Sequence, residues 1–288
     1  MANAGRRIVY LVIFLAVLLP LVGGIRLPAA PLKAATESFH LVEKLQKKKG
    51  RIALVAMDYG PSNYAENGPQ AEVVIEHLMR RRIPFVVMTQ ISQGEGFLEA
   101  VPESVASRLM REDPSQRWTY GEDWANIGFR TGLALFIQAL AKSNNIATYI
   151  SKDARGNDLS KLPLMEGVST ISDIDLLIQL TGYIGTFDTY VQFFRRNGVA
   201  PTFIHGCTSI TIPEAYIYRD SGQLKGILEG VSGAAWYSEL LEKTYPKREE
   251  DSSRAINTAL GISQLAIVLL IFLGNFPIIV RAISRRIR

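Results

Sequence analysis

The stretch RIALVAMDYGPSNYAENGPQAEVVIEHLMRRRIPFVVMT, residues 51–89, indicates how the chain folds. Its first seven residues are a mostly apolar run ended by Asp-Tyr-Gly, which is typical of a strand buried on both faces. A helical pattern follows, and the last seven residues are a second buried strand. We expect the helix to begin at Gly68-Pro69 with Asn67 as its N-cap. Two buried strands joined by a helix are the repeating unit of a parallel α/β sheet.

The same alternation continues along the chain. Further strands are predicted at WANIGF (124–129), NIATYIS (145–151), IDLLIQLT (174–181) and PTFIHG (201–206). Helices are predicted at 96–112, broken by Pro102, and at 131–143, 187–198 and 221–241. Strands that alternate with helices require right-handed crossovers and a mainly parallel sheet with both faces covered. The sequence therefore predicts an α/β fold, a Rossmann-like three-layer sandwich.

Two long uncharged stretches, 8–25 and 255–280, flank this domain. Each is long enough to span a bilayer as a helix, and membrane helices tolerate an internal proline. Two arginines precede the first stretch and four follow the second, which predicts that both termini are cytoplasmic and the middle domain is outside. A cleaved signal peptide is the alternative for the first stretch, because LPAA and LKAA resemble cleavage sites. The predicted location is the cytoplasmic (inner or plasma) membrane.

The domain organisation follows from these features. We predict a cytoplasmic tail at 1–7, a transmembrane helix at 8–25, a stalk at 26–49, an extracytoplasmic α/β domain at 50–246, a linker at 247–254, a transmembrane helix at 255–280 and a basic cytoplasmic tail at 281–288. The net charge of +5 is concentrated in the tails, which hold six arginines. A basic balance of this kind reflects membrane topology, and no nucleic-acid partner is predicted.

Polar residues follow several of the predicted strands. Ligands of parallel α/β sheets bind beyond the carboxyl ends of the strands, so these residues are candidates for a ligand site. They are Asp58, Tyr59, Asn63, Tyr64, Thr89, Gln90, Arg130, Thr181, His205 and Cys207. The alternative is that strand-to-helix loops are polar in every α/β protein.

His205 and Cys207 are the most reactive pair in this set. Residues two apart on a strand face the same side, so an imidazole and a thiol could meet there. No third member of a catalytic set is recognisable, and a buried thiol beside a histidine is the alternative. The three histidines lie far apart, and neither a G-x-G-x-x-G loop nor a Walker lysine occurs. We therefore predict no metal and no cofactor.

The stretch SGQLKGILEGVSGAAWYSELL, residues 221–241, is predicted to be the last helix of the domain. On a helical wheel its four glycines cluster opposite an apolar stripe. A phosphate cradle, a membrane seam and a packing groove are the three explanations, and the charges within the segment exclude the seam. We predict a docking surface for a segment of the same chain or for a partner subunit. It consists of Gly222, Gly226, Gly230, Gly233 and Tyr237.

Two motifs, YGEDWANIGFRTG (120–132) and SGQLKGILEGVSGAAWY (221–237), resemble those of uncharacterised prokaryotic membrane proteins. These carry one N-terminal and one C-terminal span around an extracytoplasmic domain. The resemblance implies the anchored architecture and brings no catalytic residues. We expect a membrane-anchored accessory protein that binds a ligand, or a protein partner of an envelope or transport complex, rather than an enzyme. The alternatives are an envelope hydrolase that uses Asp58, His205 and Cys207, and a structural homo-oligomer.

Overall fold

The computed structural model describes residues 2–286, and it describes side chains from residue 6 to residue 276. The chain forms two compact units. One consists of residues 30–253, and the other of the two ends of the chain, 1–29 and 254–288.

A parallel sheet is the centre of the unit 30–253. Within the described residues its six strands are β1 (Ile52–Asp58), β2 (Phe85–Thr89), β3 (Trp124–Phe129), β4 (Ile174–Thr181), β5 (Thr202–Cys207) and β6 (Gly226–Glu229). All pairs are parallel, and the spatial order is β3-β2-β1-β4-β5-β6. This is the order of a doubly wound sheet: the chain adds strands outward on one side of β1 and then, from β4 onward, on the other side. All strands still point the same way. The predicted α/β fold with a parallel sheet is confirmed.

Helices cover both faces of the sheet. Along the whole described chain, the α-helices are α1 (Ala2–Gly23), α2 (Lys33–Glu43), α3 (Tyr64–Arg80), α4 (Phe97–Glu112), α5 (Ala134–Lys142), α6 (Ile146–Ile150), α7 (Thr186–Phe193), α8 (Ile212–Asp220), α9 (Gly230–Thr244) and α10 (Ser253–Arg286). Those that cover the sheet are α2 to α9. Helices α2, α3, α4 and α9 pack together on one face. Helices α5 to α8 cover the other face, where Leu54 of β1 and Leu177 of β4 join the core under them. Side chains alternate between the two faces along each strand, so both halves of the core are apolar.

Three local predictions differ from the structure. The segment 145–151 is not a strand but contains α6, because the Asn145 side chain accepts a hydrogen bond from the N–H of Thr148 and caps the helix. Helix α3 begins at Tyr64, one turn earlier than predicted, so Pro69 lies inside it. Pro102 also lies inside α4 and does not break it. Packing against the sheet outweighs the hydrogen bond that each proline removes.

The segment predicted as a stalk contributes to the domain core. Within 26–49, α2 packs on β6 and α9, and its residues Ala34, Ala35, Phe39 and Val42 are buried. A buried apolar stripe on a helix of this length requires a tertiary partner, which the sheet provides. The compact unit therefore begins at residue 30, before the predicted domain boundary at residue 50.

The predicted linker at 247–254 is also ordered against the domain. Arg248 is fully buried and forms ion pairs with Glu76 of α3 at 2.5 Å and with Asp251 at 2.6 Å. Asp251 accepts a further hydrogen bond from Ser238 of α9 at 2.6 Å. Charged groups are buried at this depth only when they are paired, so this segment is part of the domain fold.

The prediction of one helix over 221–241 is wrong. Residues 226–229 are strand β6, which pairs with β5, and α9 begins at Gly230 with a φ of +54°. Gly222 lies in the preceding turn, and a Cβ at Gly226 would overlap Ser38 of α2. The glycines therefore lie on different elements, and Tyr237 is fully buried. The predicted glycine docking surface does not exist as one face, because pairing with β5 overrides the helical pattern.

The two ends of the chain are largely helical. Segments Arg6–Gly23 of α1 and Ser253–Phe276 of α10 are long and apolar enough to cross a membrane. Only 6% of the first segment and 17% of the second is buried, so neither resembles the core helix of a soluble protein. In this unit the backbone N–H of Leu27 donates a hydrogen bond to Thr258 Oγ1 at 2.9 Å. Residues 1, 287 and 288 of the predicted tails lie outside the described residues, and the orientation stays a prediction.

Candidate functional site

A buried polar cluster lies at the carboxyl ends of the central strands. Asp58 ends β1 and is the register partner of Thr181, which ends β4. The Asp58 carboxylate is fully buried, and its Oδ1 accepts a hydrogen bond from the backbone N–H of Gln90, 2.7 Å away. The structure thus brings together three of the residues predicted from the sequence, at the point where the strand order reverses. Ligand sites of doubly wound sheets lie at this position.

Two further residues complete the cluster. Gln179 of β4 donates from Nε2 to Asp58 Oδ2 at 3.1 Å. Tyr190 of α7 is fully buried, and its hydroxyl lies close enough to Asp58 to lower the pKa of that carboxyl. Gln90 Nε2 in turn donates to the Tyr190 hydroxyl at 3.4 Å. We refer to Asp58, Gln90, Gln179, Tyr190 and His205 as the Asp58 cluster.

These hydrogen bonds determine the orientation of both glutamines. An ionised carboxylate only accepts hydrogen bonds, so the NH₂ group of Gln179 must face Asp58. The NH₂ group of Gln90 faces the Tyr190 hydroxyl, which accepts from it at 3.4 Å. The amide oxygens of Gln179 and Gln90 are buried, and neither has a hydrogen-bond partner. Buried polar atoms without partners are uncommon in folded proteins, so both oxygens require an explanation.

His205 of β5 adds a third such atom. It is the register partner of Gln179, so the two side chains lie next to each other on one face of the sheet. Its Nδ1 is buried without a partner, and its ring stacks on Phe187 of α7 with centroids 4.2 Å apart. Burial lowers the pKa of His205 to about 3, although a hydrogen bond to the Gln179 backbone acts in the opposite direction. The imidazole is therefore neutral, and Nδ1 can accept a hydrogen bond in the tautomer that carries the proton on Nε2.

The protonation of Asp58 is also set by burial. Burial raises its pKa to about 6, and hydrogen bonds from the Gln90 backbone, Gln179 and Tyr190 oppose the rise. These donors are neutral, so they stabilise the carboxylate without cancelling its charge. Asp58 is mostly ionised at neutral pH and carries a buried negative charge.

His205 and Cys207 do not form a catalytic pair. Cys207 is fully buried, and its thiol donates to the carbonyl of Leu228 at 3.5 Å. Burial raises the pKa of the Cys207 thiol to about 12, so it is protonated at neutral pH. A nucleophilic cysteine needs a thiolate and an accessible position, and Cys207 has neither. The structure supports the alternative prediction of a buried thiol beside a histidine.

The other predicted site residues make structural contacts. Tyr59 and Tyr64 stack on Phe97 with centroids 5.5 and 4.7 Å away. Thr89 Oγ1 accepts from the N–H of Ile91, and Thr181 Oγ1 accepts from the N–H of Tyr183. Arg130 donates to the carbonyls of Ile127 and Lys152.

Asn63 closes the crevice between the loops that follow β1 and β4. Its side-chain amide lies directly against the Cα of Gly182, where any Cβ would overlap it. The nearby surface is polar, and Ser62 Oγ donates to Asn63 Oδ1 at 2.9 Å. The usual entrance to a ligand site of this fold is therefore covered.

A cleft under α7 approaches the Asp58 cluster from the other side. It has a volume of about 220 Å³, and we call it the α7 cleft. Leu177 of β4 and Phe203 of β5 form its floor, Tyr190 and Phe194 of α7 line its wall, and Arg195 and Lys225 also line it. Leu177 and Phe203 are register partners two residues before Gln179 and His205, on the same face of the sheet. The floor of the cleft leads toward the cluster.

Gln179 and Tyr190 were not predicted from the sequence. Gln179 interrupts the apolar run IDLLIQLT, and a polar residue inside a fully buried strand is the signal that could have identified it. Tyr190 carries no such signal, because aromatic residues are ordinary on the buried side of a helix.

Among the described residues, no group of three or more His, Cys, Asp or Glu side chains is placed to hold a metal ion. Comparisons of the chain with models of protein families, with curated proteins and with solved structures find no match. The resemblance to two-span prokaryotic membrane proteins stays a prediction.

Proposed function

We propose that this chain is a membrane-anchored accessory protein whose α/β domain lies outside the cytoplasm and binds a ligand or a protein partner of an envelope or transport complex. The observation that carries the proposal is the Asp58 cluster. It is buried and held by hydrogen bonds, and three of its buried polar atoms have no partner. Preorganised polar groups with unused hydrogen-bonding capacity are a feature of binding sites.

Binding is favoured over hydrolysis by the state of the reactive side chains. The Cys207 thiol is protonated and donates to a carbonyl, and the His205 imidazole stacks on Phe187. A hydrolase of the thiol type needs these two side chains paired with each other. The cluster provides acceptors and a charge, which bind a molecule without attacking it.

The anchored arrangement is supported by the exposed apolar surface of α1 and α10. Val22 is 79% exposed and Leu265 is 71% exposed, and many neighbours on both helices are similar. Apolar helices of this length are stable in a bilayer, where each backbone group bonds within its own helix.

Cysteine labelling in intact cells tests the topology. The natural Cys207 is fully buried, so it contributes little background. Ser107 is exposed on α4, and Ser284 lies in the predicted C-terminal tail. We expect a membrane-impermeant maleimide to label Ser107→Cys in intact cells and Ser284→Cys only after the membrane is opened. External labelling of Ser284→Cys contradicts the proposed topology.

Site-specific photo-crosslinking tests the partner. Ile184 and Ile210, in the loops after β4 and β5, are 80% and 85% exposed. Both side chains are accessible to a partner that approaches this edge of the sheet. A photoreactive residue at either position should form one defined adduct in native membranes, whereas the same residue at Ile217, 69% exposed on α8, should not. Equal adducts at all three positions, or none at any, argue against a partner at this edge.

A further inference from the structure

The α7 cleft and the Asp58 cluster are consecutive parts of one sheet face. The floor pair Leu177 and Phe203 is followed, two residues along each strand, by the pair Gln179 and His205. Only the Tyr190 side chain lines the cleft and also belongs to the cluster through its hydroxyl. The Tyr190 side chain therefore lies between the apolar cleft and the polar cluster.

The buried atoms of the cluster that have no hydrogen-bond partner are two amide oxygens and one imidazole nitrogen. The NH₂ groups of Gln179 and Gln90 each donate one hydrogen bond, to Asp58 and to Tyr190, whereas the two amide oxygens and His205 Nδ1 have no partner. An amide oxygen can only accept, so a molecule that satisfies the two glutamine oxygens must donate hydrogen bonds to them. A carboxylate or a ketone has no hydrogen to donate and would leave these two amide oxygens without partners.

The negative charge of Asp58 indicates which kind of hydrogen-bond donor the ligand carries. The hydrogen-bond donors to the buried Asp58 carboxylate are all neutral. A buried carboxylate is stabilised by an adjacent cation when the remaining hydrogen bonds are satisfied. A primary ammonium group has a positive charge and three N–H donors, which matches three unpartnered acceptors beside one carboxylate.

We infer that the α7 cleft and the Asp58 cluster together form a binding site for a small protonated primary amine with an apolar body. The ammonium group contacts the Gln90 and Gln179 amide oxygens and His205 Nδ1, and the apolar body lies on Leu177 and Phe203. Arg195 and Lys225 line the cleft and disfavour a second cationic group, so the site selects monoamines over diamines. This inference rests on the proposed ligand-binding function and gives it a ligand class.

Isothermal titration calorimetry on the full chain in detergent micelles tests the site, with empty micelles as the blank. The probes are 2-phenylethylamine, the neutral donor 2-phenylethanol and the diamine 1,4-bis(aminomethyl)benzene. We expect the monoamine to bind about tenfold or more tightly than the alcohol or the diamine, because a charged hydrogen bond is stronger than a neutral one. Equal affinity for amine and alcohol overturns the ammonium assignment, and no binding of the amine overturns the site.

Substitutions in the Asp58 cluster and in the α7 cleft test whether the amine binds there. His205→Phe removes one acceptor, and Gln179→Leu removes another, so each should weaken amine binding about tenfold. Gln192→Leu, an exposed residue of the same helix α7, is the matched control and should leave binding unchanged. Ala200→Trp fills the exposed entrance of the cleft without contact with the cluster, and it should abolish binding even if a cluster variant fails to fold. Unchanged binding in both Ala200→Trp and His205→Phe places the amine elsewhere and contradicts the inference.

The outcomes separate this inference from the proposed function. Loss of amine binding alone, with the labelling pattern and the photo-adducts as expected, rejects the amine site and leaves the anchored accessory protein. An external C-terminus rejects the proposed topology without any effect on the calorimetry.

Discussion

The carboxylate of Asp58 and the side-chain amide of Gln179 lie on neighbouring strands, with Asp58 Oδ2 and Gln179 Nε2 3.1 Å apart. This hydrogen bond spans the junction of β1 and β4, where the strand order reverses. It places a buried negative charge next to a polar residue that is itself only half satisfied. The stability of the domain should therefore respond to the ionisation of Asp58.

Asp58→Asn should change how stability depends on pH. The folded-state pKa of about 6 lies above the ordinary value of 3.8, so the native state disfavours the ionised form. The protonated form of Asp58 therefore contributes to the free energy of unfolding. This contribution, about 3 kcal/mol, is fully present below pH 3.8 and is lost as the pH rises through 6. The difference in unfolding free energy between the variant and the natural chain should therefore change across this window. Urea unfolding followed by tryptophan fluorescence measures it, because Trp118, Trp124 and Trp236 all lie in the α/β domain. A pH-independent difference contradicts the prediction.

His77 should make the domain less stable as the pH falls, opposite to the pH dependence that Asp58 causes. Its Nδ1 is 2.7 Å from the Tyr237 hydroxyl and its Nε2 is 2.7 Å from Glu43. Burial lowers its pKa to about 4 from 6.5, so its contribution is present above pH 6.5 and is lost as the pH falls through 4. The loss amounts to about 3 kcal/mol. In His77→Gln the unfolding free energy should fall less between pH 6.5 and pH 4 than in the natural chain. His40→Gln, at an exposed position, should show the same fall as the natural chain. An equal fall in unfolding free energy between pH 6.5 and pH 4 for His77→Gln and the natural chain would contradict this prediction.

Arg248→Met should strongly destabilise the domain. Arg248 is the buried cation between Glu76 and Asp251, and its removal leaves two buried carboxylates with fewer partners. We expect a loss of about 3–5 kcal/mol in unfolding free energy. Arg111→Met is the matched control, because the Arg111–Glu249 pair is 60% and 47% exposed and water screens it, so its loss should change the unfolding free energy little. Similar losses in the two variants would mean that the segment around Arg248 is not held by its buried charges.

Gly226→Ala should disrupt the contact between β6 and α2. The added Cβ would overlap Ser38, so we expect a loss of about 1–3 kcal/mol. Ser38→Ala in the same chain should recover part of the loss, because it removes the hydroxyl that the new Cβ meets first. Gly96→Ala, where the added Cβ has no neighbour within 4 Å, is the control. Full additivity of the two changes would show that α2 does not pack on β6 at this point.

Cys207 should resist thiol reagents in the folded protein. Its pKa is raised to about 12 and it is fully buried, so neither a thiolate nor an approach path is available. A maleimide at pH 7 should label it only after addition of urea, whereas the exposed Ser107→Cys should react at once. Rapid labelling of Cys207 without urea would restore the thiol-hydrolase alternative.

The sequence predicted the elements whose signals are local. Strands β1 and β4 are mostly apolar, and a mostly apolar run of this length predicts burial on both faces without reference to the rest of the chain. Strand β6 was missed because its four residues, Gly226–Glu229, are too few to show a period. It is a strand only because β5 offers a free edge beside it. Helix α2 was misread as part of a stalk because its buried stripe is recognisable only when the partner sheet is known.

The candidate site shows the same division. The sequence placed Asp58, Gln90, Thr181 and His205 at strand ends, and the parallel order of the sheet brought them close together. Gln179 is 121 residues from Asp58 along the chain, and nothing in either local sequence indicates their hydrogen bond.

By itself, the sequence determined the α/β class and the two apolar ends of the chain, because periodicity and composition record which surfaces avoid water. Only the tertiary structure decided which polar side chains share a buried site and which of their atoms have no partner. These properties depend on strand order and register, which join residues far apart in the chain and leave no local pattern.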